Sequence, residues 1–260
     1  MFDPAALSSN VRPGVVEAIG VAATWCPPAQ AAGRTRLFVQ SIDSHPIDAA
    51  TGVDIIPTPI RVDHLLASAA IPVIFPPVAI DQPPDYTGPA YQGQYIDGGV
   101  RLNTPIQAGL AMGATRLVVI SGHSIEANPP PPVEVGPPPD LAASTAVTIR
   151  AVLTDGLSDD LAALRARNSA ATDPADQVPY RVVAPLDGEL AALAATYLRP
   201  HRWRPFDSYA LIGRLLAAAG EGIGPDELLS LLFFDTDYFT AQIGLARAHA
   251  RIALEQDWQV

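Results

Sequence analysis

The sequence predicts an α/β fold, and three observations carry that expectation. Strand-like and helix-like segments alternate along the first half of the chain. The stretch from Tyr91 to Ser121 reads strand, helix, strand over about 30 residues, the length of a βαβ unit. Arg116 to Ser121, "RLVVIS", is an unbroken apolar run of the kind that lies inside a parallel sheet. Such elements assemble as layers around one core.

Taken in order, Gly14 to Trp25 is expected to form a short helix ended by Pro27 and Pro28. Arg36 to Ile42, "RLFVQSI", is a β-type run, and Val53 to Ile56 follows the turn-prone Asp48-Ala49-Ala50-Thr51-Gly52, so the two are expected to pair as a hairpin. Val62 to Ala70, "VDHLLASAA", is helical and stops before Pro72, because the residue ahead of a proline is pushed out of helical backbone. Tyr91 to Ile96 is a strand entering Asp97. Asn103 or Thr104 caps a helix with Pro105 in its first turn, running to about Met112, where Gly113 ends it. Asn128 to Pro139 holds seven prolines and reads as an extended surface loop. Beyond it the expected elements are helices at Asp140 to Asn168, Glu189 to Leu198, Ser208 to Ala219, Pro225 to Phe233 and Tyr238 to Glu255, with a β-like run at Tyr180 to Ala184.

Composition narrows the function. With 48% apolar and 17% charged residues, the 260-residue chain can bury a sizeable core. A net charge of -11 repels phosphate backbones, so nucleic acid is not an expected partner. The 16 basic residues are all arginine, a usage that carries no function by itself. The single Cys26 cannot form an internal disulfide, and with no nearby base it reads as a small buried or partly buried residue. Met1 to Pro4 has no basic and apolar leader, and Leu65 to Ile80 is too short and too proline-broken to span a bilayer. A soluble, cytoplasmic protein is expected.

The candidate chemistry centres on Asp97-Gly98-Gly99. An aspartate before glycine can simply form a turn through its side-chain acceptor, or it can be a catalytic carboxylate. No serine stands between two glycines in the spacing G-x-S-x-G. The two nearest matches in spacing are Gly109-Leu110-Ala111-Met112-Gly113, which has alanine at the centre and lies within a helix, and Gly220-Glu221-Gly222-Ile223-Gly224, which follows a helix and reads as its C-terminal loop. Ser121-Gly122-His123-Ser124 puts serine beside histidine after a strand, but adjacent side chains seldom face each other and the second glycine is missing. Ser68 reads as a packing or helix-end residue. His45, His64, His123, His201 and His249 show no ligand spacing, so no metal is expected, and His201-Arg202-Trp203-Arg204 reads as a solvated, partly stacked surface.

"HLLASAAIPVIFPPV" (His64 to Val78), "YIDGG" (Tyr95 to Gly99) and "NTPIQAGLAMGATRLVVI" (Asn103 to Ile120) together resemble the second half of the patatin-like phospholipase domain. That family has an Ala-Ser-x-Ala-x-Pro helix end, a Phe-x-Pro, the Asp-Gly-Gly or Asp-Gly-Ala motif, and then Asn-x-Pro. The resemblance is dense from Arg36 to Gly122, while Glu227 to Leu254 looks like the helical tail of bacterial members. It implies a three-layer α/β/α core and a Ser-Asp dyad cleaving acyl esters of lipids without a cofactor. Asp97 matches the dyad base, with Gly98 and Gly99 supporting the turn beneath it. The family's oxyanion loop and G-x-S-x-G elbow, which precede these motifs, have no counterpart here, so the nucleophile is expected to be absent and the isolated chain inactive.

The expected organisation is therefore an N-terminally truncated core over residues 1–127, a Pro-rich loop over 128–139 and a mostly helical region over 140–260. The expected partner is a lipid or other acyl ester, with self-association through an uncovered sheet edge. The alternative is a catalytically dead module that binds lipid or protein.

Overall fold

A short helix, α1 (Pro4–Asn10), opens the chain, capped by the Asp3 carboxylate, which accepts the N–H groups of Ala5 and Ala6 at 2.9 and 3.2 Å. In the computed structural model the described residues are 3–28, 33–42, 53–72, 75–101, 105–122, 124, 157–186, 188–198 and 235–260. They divide into two units, one drawn from residues 1–117 and 159–178, the other from 118–158 and 179–260.

The first unit is built on a five-stranded sheet containing β1 (Ala18–Cys26), β2 (Arg34–Ser41), β3 (Asp54–Pro57), β4 (Val78–Ile80) and β5 (Gly93–Asp97), in the order β3-β2-β1-β5-β4. The stretch expected to be a helix, Gly14 to Trp25, thus supplies the central strand. Its alanines disguise it, because a strand buried on both faces lacks clean apolar–polar alternation. Long antiparallel pairing with β2, and pairing with β5 on the other side, outweigh its weak helix propensity. The expected β2–β3 hairpin is also corrected, because these strands run parallel with Leu37 opposite Ile55. The link between them, residues 42–53, has the length of about a dozen residues that a parallel crossover needs.

Alternation puts Ile19, Val21, Ala23 and Trp25 on one face with Phe38, Ile56, Tyr95 and Ile80. Helix α2 (Val62–Ser68) covers this face, with Ala67 wholly buried in the same cluster. The opposite face carries Leu37, Val39, Ala18 and Ala22, and α3 (Ile106–Ala111) covers it through Ala108 and the following Met112. The first unit is thus a helix–sheet–helix sandwich. As expected, α3 ends near Met112, its C-cap, with Gly113 in left-handed backbone at φ 78°. The cap expected at Asn103 or Thr104 lies outside the described residues.

Strand β6 (Leu117–Ile120) forms where the "RLVVIS" run lies, but it pairs with β7 (Tyr180–Val183) in a separate two-stranded sheet. The β5–α3–β6 segment is therefore not a βαβ unit within one sheet. Both sides of β5 are already taken by β1 and β4, and Val118 and Ile120 are exposed rather than interior. Residues 157–170 form α4, whose buried Asn168 holds the following loop by exchanging two hydrogen bonds with Val178 at 2.9 and 3.0 Å.

In the second unit, α5 (Glu189–Leu198) and α6 (Thr236–Glu255) fall where helices are expected. Glu189 and His249 join them at 2.7 Å, and Tyr238 is fully buried. The C-terminus returns to β7, where Tyr180 and Gln259 bridge and the Arg181 guanidinium stacks 4.4 Å from the Trp258 ring. The Pro-rich segment and the helices expected at Ser208 to Ala219 and Pro225 to Phe233 lie outside the described residues. No helix among the described residues is long and apolar enough to cross a membrane.

Candidate functional site

Asp97 is the last residue of β5, opposite Ala23 of the central strand and followed by a single 3-10 turn, Gly98–Val100. Strand β4 stops at Val78, opposite Tyr95, so the outward amide of Asp97 lies beyond the reach of its ladder. The amide instead donates to the carbonyl of Ala70, just past the end of α2, at 3.0 Å. The side chain accepts the N–H of Gly99 at 2.6 Å, which orients the carboxylate over the turn. Burial raises the pKa of Asp97 above the usual carboxylate range, and the Gly99 hydrogen bond only partly opposes this. The result is a half-buried carboxylate of enhanced basicity at a strand end, the environment a general base needs.

The two glycines act differently from what an Asp-Gly turn suggests. Neither Gly98 nor Gly99 is among the glycines with positive φ. Gly98 is required because its α-carbon lies against β1: a Cβ there would stand 2.4 Å from the Ala22 carbonyl oxygen and 2.7 Å from its carbon. At Gly98 the motif is thus a close approach of two backbones, achieved without left-handed geometry.

The other candidates sit as follows. Ser121 donates its backbone N–H to Val183 of β7 at 2.9 Å, in the second unit. His45, His123, the cluster 201–204 and Gly220 to Gly224 lie outside the described residues. Gly109 to Gly113 forms the end of α3, so it is packing and a helix stop. Ser68 is the last residue of α2 and partly buried. Cys26 is a partly buried free thiol whose pKa burial raises. Among the described residues no group of three or more His, Cys, Asp or Glu side chains could hold a metal ion.

His64 has a role that its isolation in the sequence concealed. It is fully buried, stacked on Phe38 with ring centroids 4.3 Å apart and planes inclined by 12°. Its Nδ1 accepts the N–H of Arg61 at 3.1 Å, the return half of a capping box at the start of α2. The neutral ring therefore carries its proton on Nε2, which has no partner in the structure. Desolvation lowers its pKa to about 4. The spacing Arg61-x-x-His64 at a helix start was the available signal.

Residues 26–110 match the family model described as patatin-like phospholipase. This covers about a third of the chain and includes only the last residue of β1, all of β2 to β5, α2, the Asp97 turn and most of α3. No curated protein and no solved structure matches the chain.

Proposed function

We propose that this chain is part of a patatin-like lipid acyl hydrolase and supplies Asp97 as the base of a Ser-Asp dyad. The observation that carries the reading is the state of Asp97. Its carboxylate is held at a strand end, basic through burial, inside the one segment that matches the family. In the proposed reaction a serine hydroxyl gives its proton to an Asp97 carboxylate oxygen as its oxygen attacks the ester carbonyl. The carboxylic acid so formed then protonates the departing alcohol, leaving an acyl-serine that water cleaves. The substrate is a carboxylic ester of a lipid.

No G-x-S-x-G occurs in the 260 residues, so the serine and the oxyanion donors come from outside this sequence. That same feature favours a second reading, a lipid- or protein-binding module without catalysis. The coding DNA immediately upstream separates them. An in-frame continuation encoding a Gly-rich loop and G-x-S-x-G supports the hydrolase, and an upstream stop codon with its own ribosome site supports the module. Turnover of p-nitrophenyl acyl esters by the 260 residues alone would overturn both.

A further inference from the structure

We infer that His64 is a positioning residue for Asp97 and acts through helix α2, an inference that rests on the reading of Asp97 as the dyad base. From His64 to Ser68 is four residues, roughly 6 Å of helical rise, and Ala69 and Ala70 carry the chain on past the helix end. From β2 across β1 to β5 is two strand spacings, roughly 10 Å. Helix α2 therefore crosses the sheet from Phe38 on β2, where His64 stacks, to Asp97 on β5, where the Ala70 carbonyl receives the Asp97 amide at 3.0 Å. Between the two ends, Ala67 is wholly buried in the cluster that also contains Ala23 and Val21, and small residues there let the helix sit low on β1.

Each end is held by a specific contact. At the start, Arg61 N–H bonds to His64 Nδ1, and the ring lies flat on Phe38. At the finish, β4 no longer runs beside Asp97, so the Ala70 carbonyl is the acceptor its amide has. Displacing the His64 end tilts the helix, withdraws the Ala70 carbonyl and lets water reach the carboxylate. The strut thus keeps the base dry as well as in place.

The test is made on the 260-residue chain and needs no nucleophile. Amide exchange is followed at Asp97 and, for comparison, at Ile42, whose N–H bonds to Glu17 at 2.9 Å at the far end of the β1–β2 pairing. The carboxyl of Asp97 is titrated in parallel by carbon NMR. In the unaltered chain the Asp97 amide should be protected to within about tenfold of Ile42. His64→Leu should speed Asp97 exchange at least tenfold more than Ile42 exchange and move the carboxyl pKa down toward ordinary. His64→Asn, whose side-chain oxygen can accept the Arg61 N–H, should recover much of both effects, and if the leucine variant does not fold, Phe38→Leu, which removes the stacking surface, should speed Asp97 exchange more than Ile42 exchange in its place. Equal acceleration at both amides, an unchanged Asp97, or an unprotected Asp97 amide in the unaltered chain would refute the strut. Failure of the dyad reading instead appears as absent turnover in a chain extended by the elbow, whatever these amides do.

Discussion

Replacing Gly98 by alanine tests how the Asp97 turn is built. The added Cβ would stand 2.4 Å from the Ala22 carbonyl oxygen and 2.7 Å from its carbon, where ordinary contact begins near 3.4 Å. Both obstacles are backbone of the central strand, so no rotamer change relieves the clash. The end of β5 must retreat by up to about 1 Å, opening the pairing of Ala23 with Asp97. Overpacking typically costs about 1–3 kcal/mol, and with a rigid strand as the obstacle the upper end, about 3 kcal/mol, applies. At a urea slope of roughly 2 kcal/mol/M this lowers the midpoint by about 1.5 M. Gly122→Ala is the control, since nothing lies within 4 Å of its added Cβ, and it should change stability by less than about 0.5 kcal/mol. A Gly98→Ala midpoint within 0.3 M of the parent would refute the close-approach account.

Three further expectations follow from the same geometry. His64 has a folded pKa of about 4 against about 6.5 unfolded, so its contribution is complete above pH 6.5 and fades as pH falls toward 4. Relative to His64→Leu, the parent should lose on the order of 2 kcal/mol between those limits in urea titrations. Asp63 adds to this difference, because burial tends to raise its pKa while the hydrogen bonds from Arg61 and the charge of His64 bring it below the ordinary range. Asp97 has the opposite sign: its folded pKa is raised, so it favours folding below about pH 4 and loses that advantage as pH rises through the folded value. Asp97→Asn should therefore gain stability relative to the parent on going from pH 4 to pH 7, and no such gain would mean the carboxylate is not desolvated. Finally, exposed Val118 and Ile120 on the short strand β6 favour association. Threonine at both positions should lower the weight-average mass seen by sedimentation, and an unchanged mass would place any self-association elsewhere.

What the sequence disclosed and what it hid follow one physical line. Local chemistry was legible: α2 stops at Ser68, ahead of Pro72, α3 stops ahead of Gly113, and Asp97 closes a strand, because turn and breaker residues act on their own neighbours. Partner choice was not. The alanine-rich β1 became a strand because strands lie on both sides of it, and β3 joined β2 in parallel because the link is long enough to cross over. The apolar run of β6 suited a buried parallel sheet, yet its place beside β5 was already filled. At the site, Asp97 stood out by its motif, while His64 and the Ala70 carbonyl did not. Their roles come from a helix laid across two strands, which no spacing along the chain records.

The most direct test of the central claim is ester hydrolysis by a chain extended with the in-frame upstream segment that carries the elbow, compared with its Asp97→Asn variant. A positioned general base contributes about 10²–10⁴-fold, and the amide keeps the carboxylate's shape and can still accept the Gly99 N–H but cannot take the proton. The account predicts turnover of p-nitrophenyl acyl esters by the extended chain and a loss of at least about 100-fold in kcat on the substitution. Undiminished kcat in the Asp97→Asn protein would contradict it and leave Asp97 as a turn former.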